Sequence, residues 1–242
     1  MSRPPSEGLQ RPGVIRFTTP ILRVLFRLYG GLRVEGLENL PRTGGAIIAP
    51  NHLSWADPPA LRTIIRRRCF FMANHDLFDI PVIGRLLPMY GTFPIDRNKH
   101  PDREALRAAD KHLREGDLLC IFPEGGTTVT GTLVPFEGGV ALLALRNHVP
   151  VVPVAITGSD RMLPREPPLV PHYTRGGMTV TFGRPIHPDE IDPRLAKRER
   201  VSALTRRLQD AVAAMLPPEY LPPHYWQRPR ESLTRETADL YS

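Results

Sequence analysis

A chain of 242 residues is long enough for one α/β domain with a substantial core, and short for two. Apolar residues make up 41% and charged residues 24%, a balance that excludes a chain disordered throughout. The formal net charge is +7 and the pI about 9.9, so an anionic partner is expected: nucleic acid, an acidic membrane surface or a phosphorylated substrate.

Residues 1–13 are polar and proline-rich and are expected to be disordered. VIRFTTPILRVLFRLYG, from Val14 to Gly30, carries Phe17, Ile21, Leu22, Leu25, Phe26 and Tyr29, interrupted by Arg16, Arg23 and Arg27. The arginines argue against a spanning helix, which needs roughly 18 uncharged apolar residues, and against a signal peptide. The segment reads as an amphipathic helix, kinked or split at Pro20. It can pack on the domain, or lie in a membrane interface with its arginines on anionic headgroups.

Strand signals follow at 32–36 and 45–50. A helix is expected from Asp57, with two prolines in its first turn, to about Arg66. Next come a strand at 69–73, one or two short helices over 76–89 broken at Pro81, and a strand at 91–95. A charged helix at 101–114, a strand at 117–122, a helix at 138–147 and a strand at 151–156 complete an alternation that indicates an α/β sheet. Residues 159–176 read as a long loop, 178–183 as a last strand, 192–215 as a last helix, and 217–242 as a proline- and aromatic-rich arm. The expected fold is a single α/β domain: a central mostly parallel or mixed sheet, helices on both faces, and an N-terminal amphipathic helical segment ahead of it. The divisions are 1–13, 14–30, 31–216 and 217–242. Cys69 and Cys120 lie in apolar runs and read as reduced core residues, and no zinc-ligand spacing is visible.

The residues suited to chemistry fall just after strands, where open α/β sheets bind ligands. NHLSWAD (51–57) offers His52 and Asp57. Imidazole is the side chain best suited to take a proton from a hydroxyl near neutral pH, and a carboxylate on its second nitrogen fixes the tautomer. On a continuous helix the two would lie about 140° apart, so they can meet only across a turn. Taken alone, Asp57 is as readily a helix cap. FPIDRNKH (93–100) offers Arg97 and Lys99 for a phosphate, or a solvated basic loop. FPEGGTTVTG (122–131) offers Glu124, Gly125, Thr127 and Thr128 for substrate hydroxyls or an anion, or a tight strand-to-helix turn. No G-x-S-x-G elbow, P-loop or G-x-G-x-x-G is present, which argues against a serine hydrolase and a nucleotide-binding enzyme.

NHLSWAD resembles the NH-x4-D motif of the glycerolipid acyltransferases, the family that includes the lysophosphatidic acid acyltransferases. GTFPIDR (91–97), IFPEGGTT (121–128) and VPVAITG (152–158) are similar to that family's next three blocks, in the same order. The resemblance covers roughly residues 30–185. It implies that His52, oriented by Asp57, deprotonates the free hydroxyl of a lysophospholipid, which attacks an acyl thioester. The donor would be acyl-CoA or acyl carrier protein. Arg97 would hold the acceptor phosphate, helped by Lys99, with Glu124, Gly125, Thr127 and Thr128 shaping the acceptor pocket. The implied product is phosphatidic acid, made peripherally at the cytoplasmic face of a membrane, with no cofactor, no metal and no nucleic-acid partner. One departure stands out: the third block commonly continues with an arginine, and here the chain reads Gly126-Thr127-Thr128. Arg161 could replace the missing charge, or the acceptor could be a different lysophospholipid or a glycolipid. A lipid-binding protein without catalysis is the remaining alternative.

Overall fold

In the computed structural model, residues 8, 10–96, 98–99, 102–164, 170–223 and 225 are described. The elements are α1 (Pro12–Leu28), β1 (Leu32–Glu35), β2 (Ala46–Pro50), α2 (Asp57–Ile64), β3 (Cys69–Asn74), α3 (Ile83–Leu86), β4 (Thr92–Ile95), α4 (Arg103–Arg114), β5 (Leu118–Cys120), α5 (Gly139–Asn147), β6 (Val151–Thr157), α6 (Ser159–Met162), β7 (Met178–Phe182) and α7 (Lys197–Ala213). Short 3-10 turns connect several of them.

The seven strands form one sheet in the order β1-β7-β6-β2-β5-β3-β4. The five strands from β6 to β4 are parallel; β7 runs antiparallel to β6, and β1 parallel to β7. Strand side chains alternate between faces, so a strand that is apolar throughout must be covered on both. Along β2 every residue is buried. Ile47 and Ala49 enter one core with α4, α5 and α7; Ala46 and Ile48 enter the other with α1, α2 and α6. The expected mixed sheet with helices on both faces is therefore present.

Pro153 sits inside β6, where a missing N–H should break a ladder. Its N side is turned from β2 towards β7, whose pairing with β6 begins only at Val154. The missing donor thus falls between the Val151–Ile186 bridge and the β7 ladder, and Pro153 O still accepts Gly183 N–H at 2.8 Å. Cys69 and Cys120 are free, buried thiols, and burial pushes Cys69 up to about 12.

Several boundaries differ from the sequence expectations. α1 runs through Pro20 without a break. Pro20 and Arg16 lie on the exposed side, where water can reach the carbonyl that the proline leaves unbonded. The last helix starts at Lys197 rather than 192, because Asp192 turns the chain by accepting from Arg194 N–H, and Glu199 then caps Ala196 N–H. The arm after 217 begins as a packed 3-10 turn, Pro218–Tyr220, with Tyr220 and Tyr225 buried. The expected disordered N-terminus includes 1–7 and 9, and the expected arm includes 224 and 226–242; these lie outside the described residues.

Candidate active site

Because β6, β2, β5, β3 and β4 are parallel, the loops that follow them open on one edge of the sheet. The loop after β2 is held by a side chain that continues the strand. Asn51 Oδ1 accepts from Ile156 N–H at 2.7 Å, and its Nδ2 donates to Ile156 O at 3.0 Å. The ladder to β6 is thereby extended past Pro50, and the next residue, His52, is placed at the strand's carboxyl end.

His52 Nδ1 lies 2.8 Å from Asp57 Oδ2. The same oxygen accepts the backbone N–H groups of Leu53 and Ser54, each at 2.8 Å. A carboxylate oxygen only accepts, so Nδ1 carries the proton and Nε2 is left as the basic nitrogen. Nε2 has no hydrogen-bond partner among the described residues. Asp57 is fully buried while the His52 side chain is 15% exposed, so the carboxylate is shielded and the ring reaches solvent. The imidazole stacks on Phe122, centroids 4.0 Å apart, which limits its rotation.

Asp57 could have capped α2 instead. The residues after it, Pro58 and Pro59, have no N–H, and Ala60 N–H already bonds Ala56 O. With no helix amide to accept, the carboxylate turns back to the loop and the ring.

Glu124 follows β5 and is buried. Its Oε1 accepts the His52 backbone N–H at 2.7 Å, and Oε2 lies 3.4 Å from Val134 N. Burial raises this carboxyl from 4.5 to about 8; the two backbone N–H groups act the other way, and the charge of Asp57 adds to the rise. Thr128 completes the grip, its N–H donating to His52 O at 2.8 Å and its Oγ1 to Thr132 O at 2.8 Å. Gly125 takes a left-handed φ of 79°, which allows the tight reversal after Glu124. Thr127 is half-buried beside them. The structure thus brings His52, Asp57, Glu124 and Thr128 into one bonded group.

Lys99 lies beyond β4, the third neighbour of β2 in the sheet, and is paired with Asp96 at 3.1 Å. Arg97 lies outside the described residues. Three contributors to the site had no assigned chemistry in the sequence reading: Asn51, Phe122 and Val134. Asn51 was visible as a polar residue ending an apolar strand. The other two depend on which loop meets which.

The sequence profile of the family described as Acyltransferase matches residues 31–157. The chain belongs to that family. It is 32% identical over 200 residues to the 1-acyl-sn-glycerol-3-phosphate acyltransferase of Bacillus subtilis, covering 81% of this chain and 94% of the Bacillus protein. It is 29% identical over 163 residues to a chloroplastic 1-acyl-sn-glycerol-3-phosphate acyltransferase of Arabidopsis thaliana, covering 66% of this chain and 45% of the plant protein. Among solved structures, the 1-acyl-sn-glycerophosphate (LPA) acyltransferase PlsC from Thermotoga maritima superposes with a TM-score of 0.63 at 24% identity, covering 84% of this chain and 81% of that one. This acyltransferase therefore shares the PlsC fold. The family match ends at Thr157, the last residue of β6, so it takes in the loops after β2, β4 and β5.

Proposed function

We propose that this acyltransferase moves a fatty acyl group from an acyl thioester, acyl-CoA or acyl carrier protein, to the free hydroxyl of 1-acyl-glycerol-3-phosphate, yielding phosphatidic acid. The observation that carries the reading is the His52–Asp57 contact at 2.8 Å, with the aspartate fully buried and the ring reaching solvent. His52 Nε2 takes the hydroxyl proton as the oxygen attacks the thioester carbonyl. Asp57 holds Nδ1–H and stabilises the imidazolium. Collapse of the tetrahedral intermediate breaks the C–S bond, and the proton returns from His52 to the departing thiolate. Arg97 and Lys99 supply positive charge towards the acceptor phosphate, and Gly125, Thr127 and Thr128 shape the wall of the acceptor pocket. Glu124 supports the acceptor site by fixing the His52 backbone. No cofactor is needed for this sequence of steps.

The names of the relatives support the acceptor. One observation favours a second reading: Gly126 and Thr127 stand where the family commonly has an arginine, and a Cβ at Gly126 would meet nothing within 4 Å. The loop is thus uncrowded and carries no charge there, which suits a different lysophospholipid or a glycolipid. Purified protein given oleoyl-CoA and lysophosphatidic acid in detergent micelles should release free thiol, dependent on acceptor and on His52. Release only with another lysolipid or glycolipid would favour the second reading. Silence with every acceptor and both donor types would leave a lipid-binding protein.

Both substrates are lipids, so the protein is proposed to work on a membrane surface. No helix among the described residues is long and apolar enough to cross a membrane. α1 supports surface docking: Phe17, Ile21, Val24, Leu25 and Leu28 are exposed along it at helical spacing, with Arg16, Arg23 and Arg27 also exposed. Exposed Ile80, Val82 and Leu86 precede the 3-10 turn Leu87–Tyr90, which packs on α1. Replacing Phe17, Val24 and Leu28 by serine should shift the protein from sedimenting vesicles to the supernatant while the Tm holds. Unchanged sedimentation would place docking elsewhere.

A further inference from the structure

Outside the dyad and its loops, one residue near the end of the described chain touches the frame on both sides of His52. Tyr220 is 4% exposed and lies in the 3-10 turn Pro218–Tyr220. Its hydroxyl oxygen accepts the Gly158 N–H at 3.0 Å and lies 3.4 Å from Asp160 Oδ1. Its backbone carbonyl accepts the Leu133 N–H at 2.8 Å. Gly158 follows β6 and Leu133 belongs to the loop after β5. In the sheet, β2 lies between those two strands. A single residue therefore fastens the loops flanking the one that carries His52.

A run of hydrogen bonds leads inward from each fastening. On the β6 side, α6 begins at Ser159 and ends ahead of Leu163, whose carbonyl accepts Ser54 Oγ–H at 2.7 Å. Ser54 N–H then donates to the Asp57 oxygen that holds the ring. On the β5 side, Val134 follows Leu133 and its N lies 3.4 Å from Glu124 Oε2, while Glu124 Oε1 takes the His52 N–H. One run ends on the imidazole's carboxylate and the other on its backbone.

We infer that Tyr220 is a positioning residue for the acyl transfer, bracing the β5 and β6 loops and through them the direction of the His52 ring. The inference rests on the reaction proposed above. It assigns the C-terminal turn to the function of the site, although Tyr220 lies 168 residues beyond His52 in the sequence.

Tyr220→Phe isolates the hydroxyl, because ring packing and the carbonyl bond to Leu133 remain. Its kcat should fall about 5- to 20-fold with KM for donor and acceptor held within about twofold, since a misdirected base weakens the transition state and not substrate binding. Amide hydrogen exchange should quicken in 157–160 and also in 51–57. Combining Tyr220→Phe with Ser54→Ala should cost less than the product of the two single effects, because both act on one run of bonds. Faster exchange confined to 157–160, with kcat within about twofold of the parent, would overturn the inference. So would a fall that appears wholly in KM. Should the parent protein transfer no acyl group, the proposed reaction fails, and exchange in 51–57 alone decides whether Tyr220 braces the His52 loop.

Discussion

His52–Asp57 and His112–Asp117 share a spacing and much of a geometry. Four residues separate histidine from aspartate in each pair. Each ring presents Nδ1 to its aspartate's Oδ2, at 2.8 Å in the first pair and 3.4 Å in the second. Each stacks on a phenylalanine: His52 on Phe122 at 4.0 Å, His112 on Phe70 at 3.5 Å. The differences lie in what surrounds them. His112 sits in the last turn of α4, and Asp117 directly precedes β5, so the pair occupies the amino edge of the parallel strands. The side chain is 5% exposed, with Phe93 tilted against the ring at 5.9 Å. Arg68 already neutralises Asp117 at 3.2 Å. His52 stands at the carboxyl edge, reaches solvent, and among the described residues shares its aspartate with backbone N–H groups alone. The spacing brings a carboxylate to a ring; edge, exposure and, among the described residues, the absence of a competing cation fit the first ring to the proposed role of base.

The contrast is tested most severely by alanine at each histidine. His52→Ala should lower acyl transfer by roughly 10²- to 10⁴-fold and leave the Tm nearly unchanged. His112→Ala should do the reverse, costing about 2–4 kcal/mol of stability through the cavity between Phe70 and Phe93, with kcat within about twofold. Lost turnover in folded His112→Ala protein would break the comparison.

Glu124 sharpens it at the next level, because it sets a buried carboxyl on the backbone of the first pair's histidine. That carboxyl is raised from 4.5 to about 8 by burial. Between those values the folded chain keeps a proton that the unfolded chain has released, so stability falls as pH rises across the interval. Glu124→Gln should flatten that slope in Tm measured against pH. It should lower kcat by less than about tenfold, because the amide oxygen still accepts His52 N–H. A slope unchanged in the variant would assign the pH dependence to other groups. The smallest effect on turnover belongs to Arg68→Gln, which removes the exposed cation from the buried Asp117: the Tm should fall while turnover should not change.

Much of this was legible in the sequence. Apolar runs at 45–50, 117–122 and 151–156 gave the central strands, and the polar segments after them fell at one edge because the strands are parallel. The choice between helix cap and dyad was only half written there: Pro58 and Pro59 carry no N–H for Asp57 to cap, but that Ala60 N–H is taken by Ala56 O is seen only in the structure. The inward turn of Glu124, the Phe122 stack and the reach of Tyr220 were not legible. Each depends on β2 lying between β5 and β6, a neighbour relation that joins residues 62 to 87 positions apart. The start of α7 was missed for a local reason: the Asp192 turn and Glu199 cap outweighed an apolar period that continued upstream.

Asn51 has a consequence of its own. Its amide meets both polar groups of one peptide residue, Ile156, in a closed pair of opposed bonds. Such a pair is directional in the way of a hydrogen-bonded base pair: one edge must give and take in a fixed order. Aspartate would present two acceptors to a donor and an acceptor, and leucine would present neither. A flipped amide would set like against like at both contacts. The strand to which His52 is attached therefore ends in a key that turns one way, and the register of the neighbouring strand is read by a side chain rather than by the backbone.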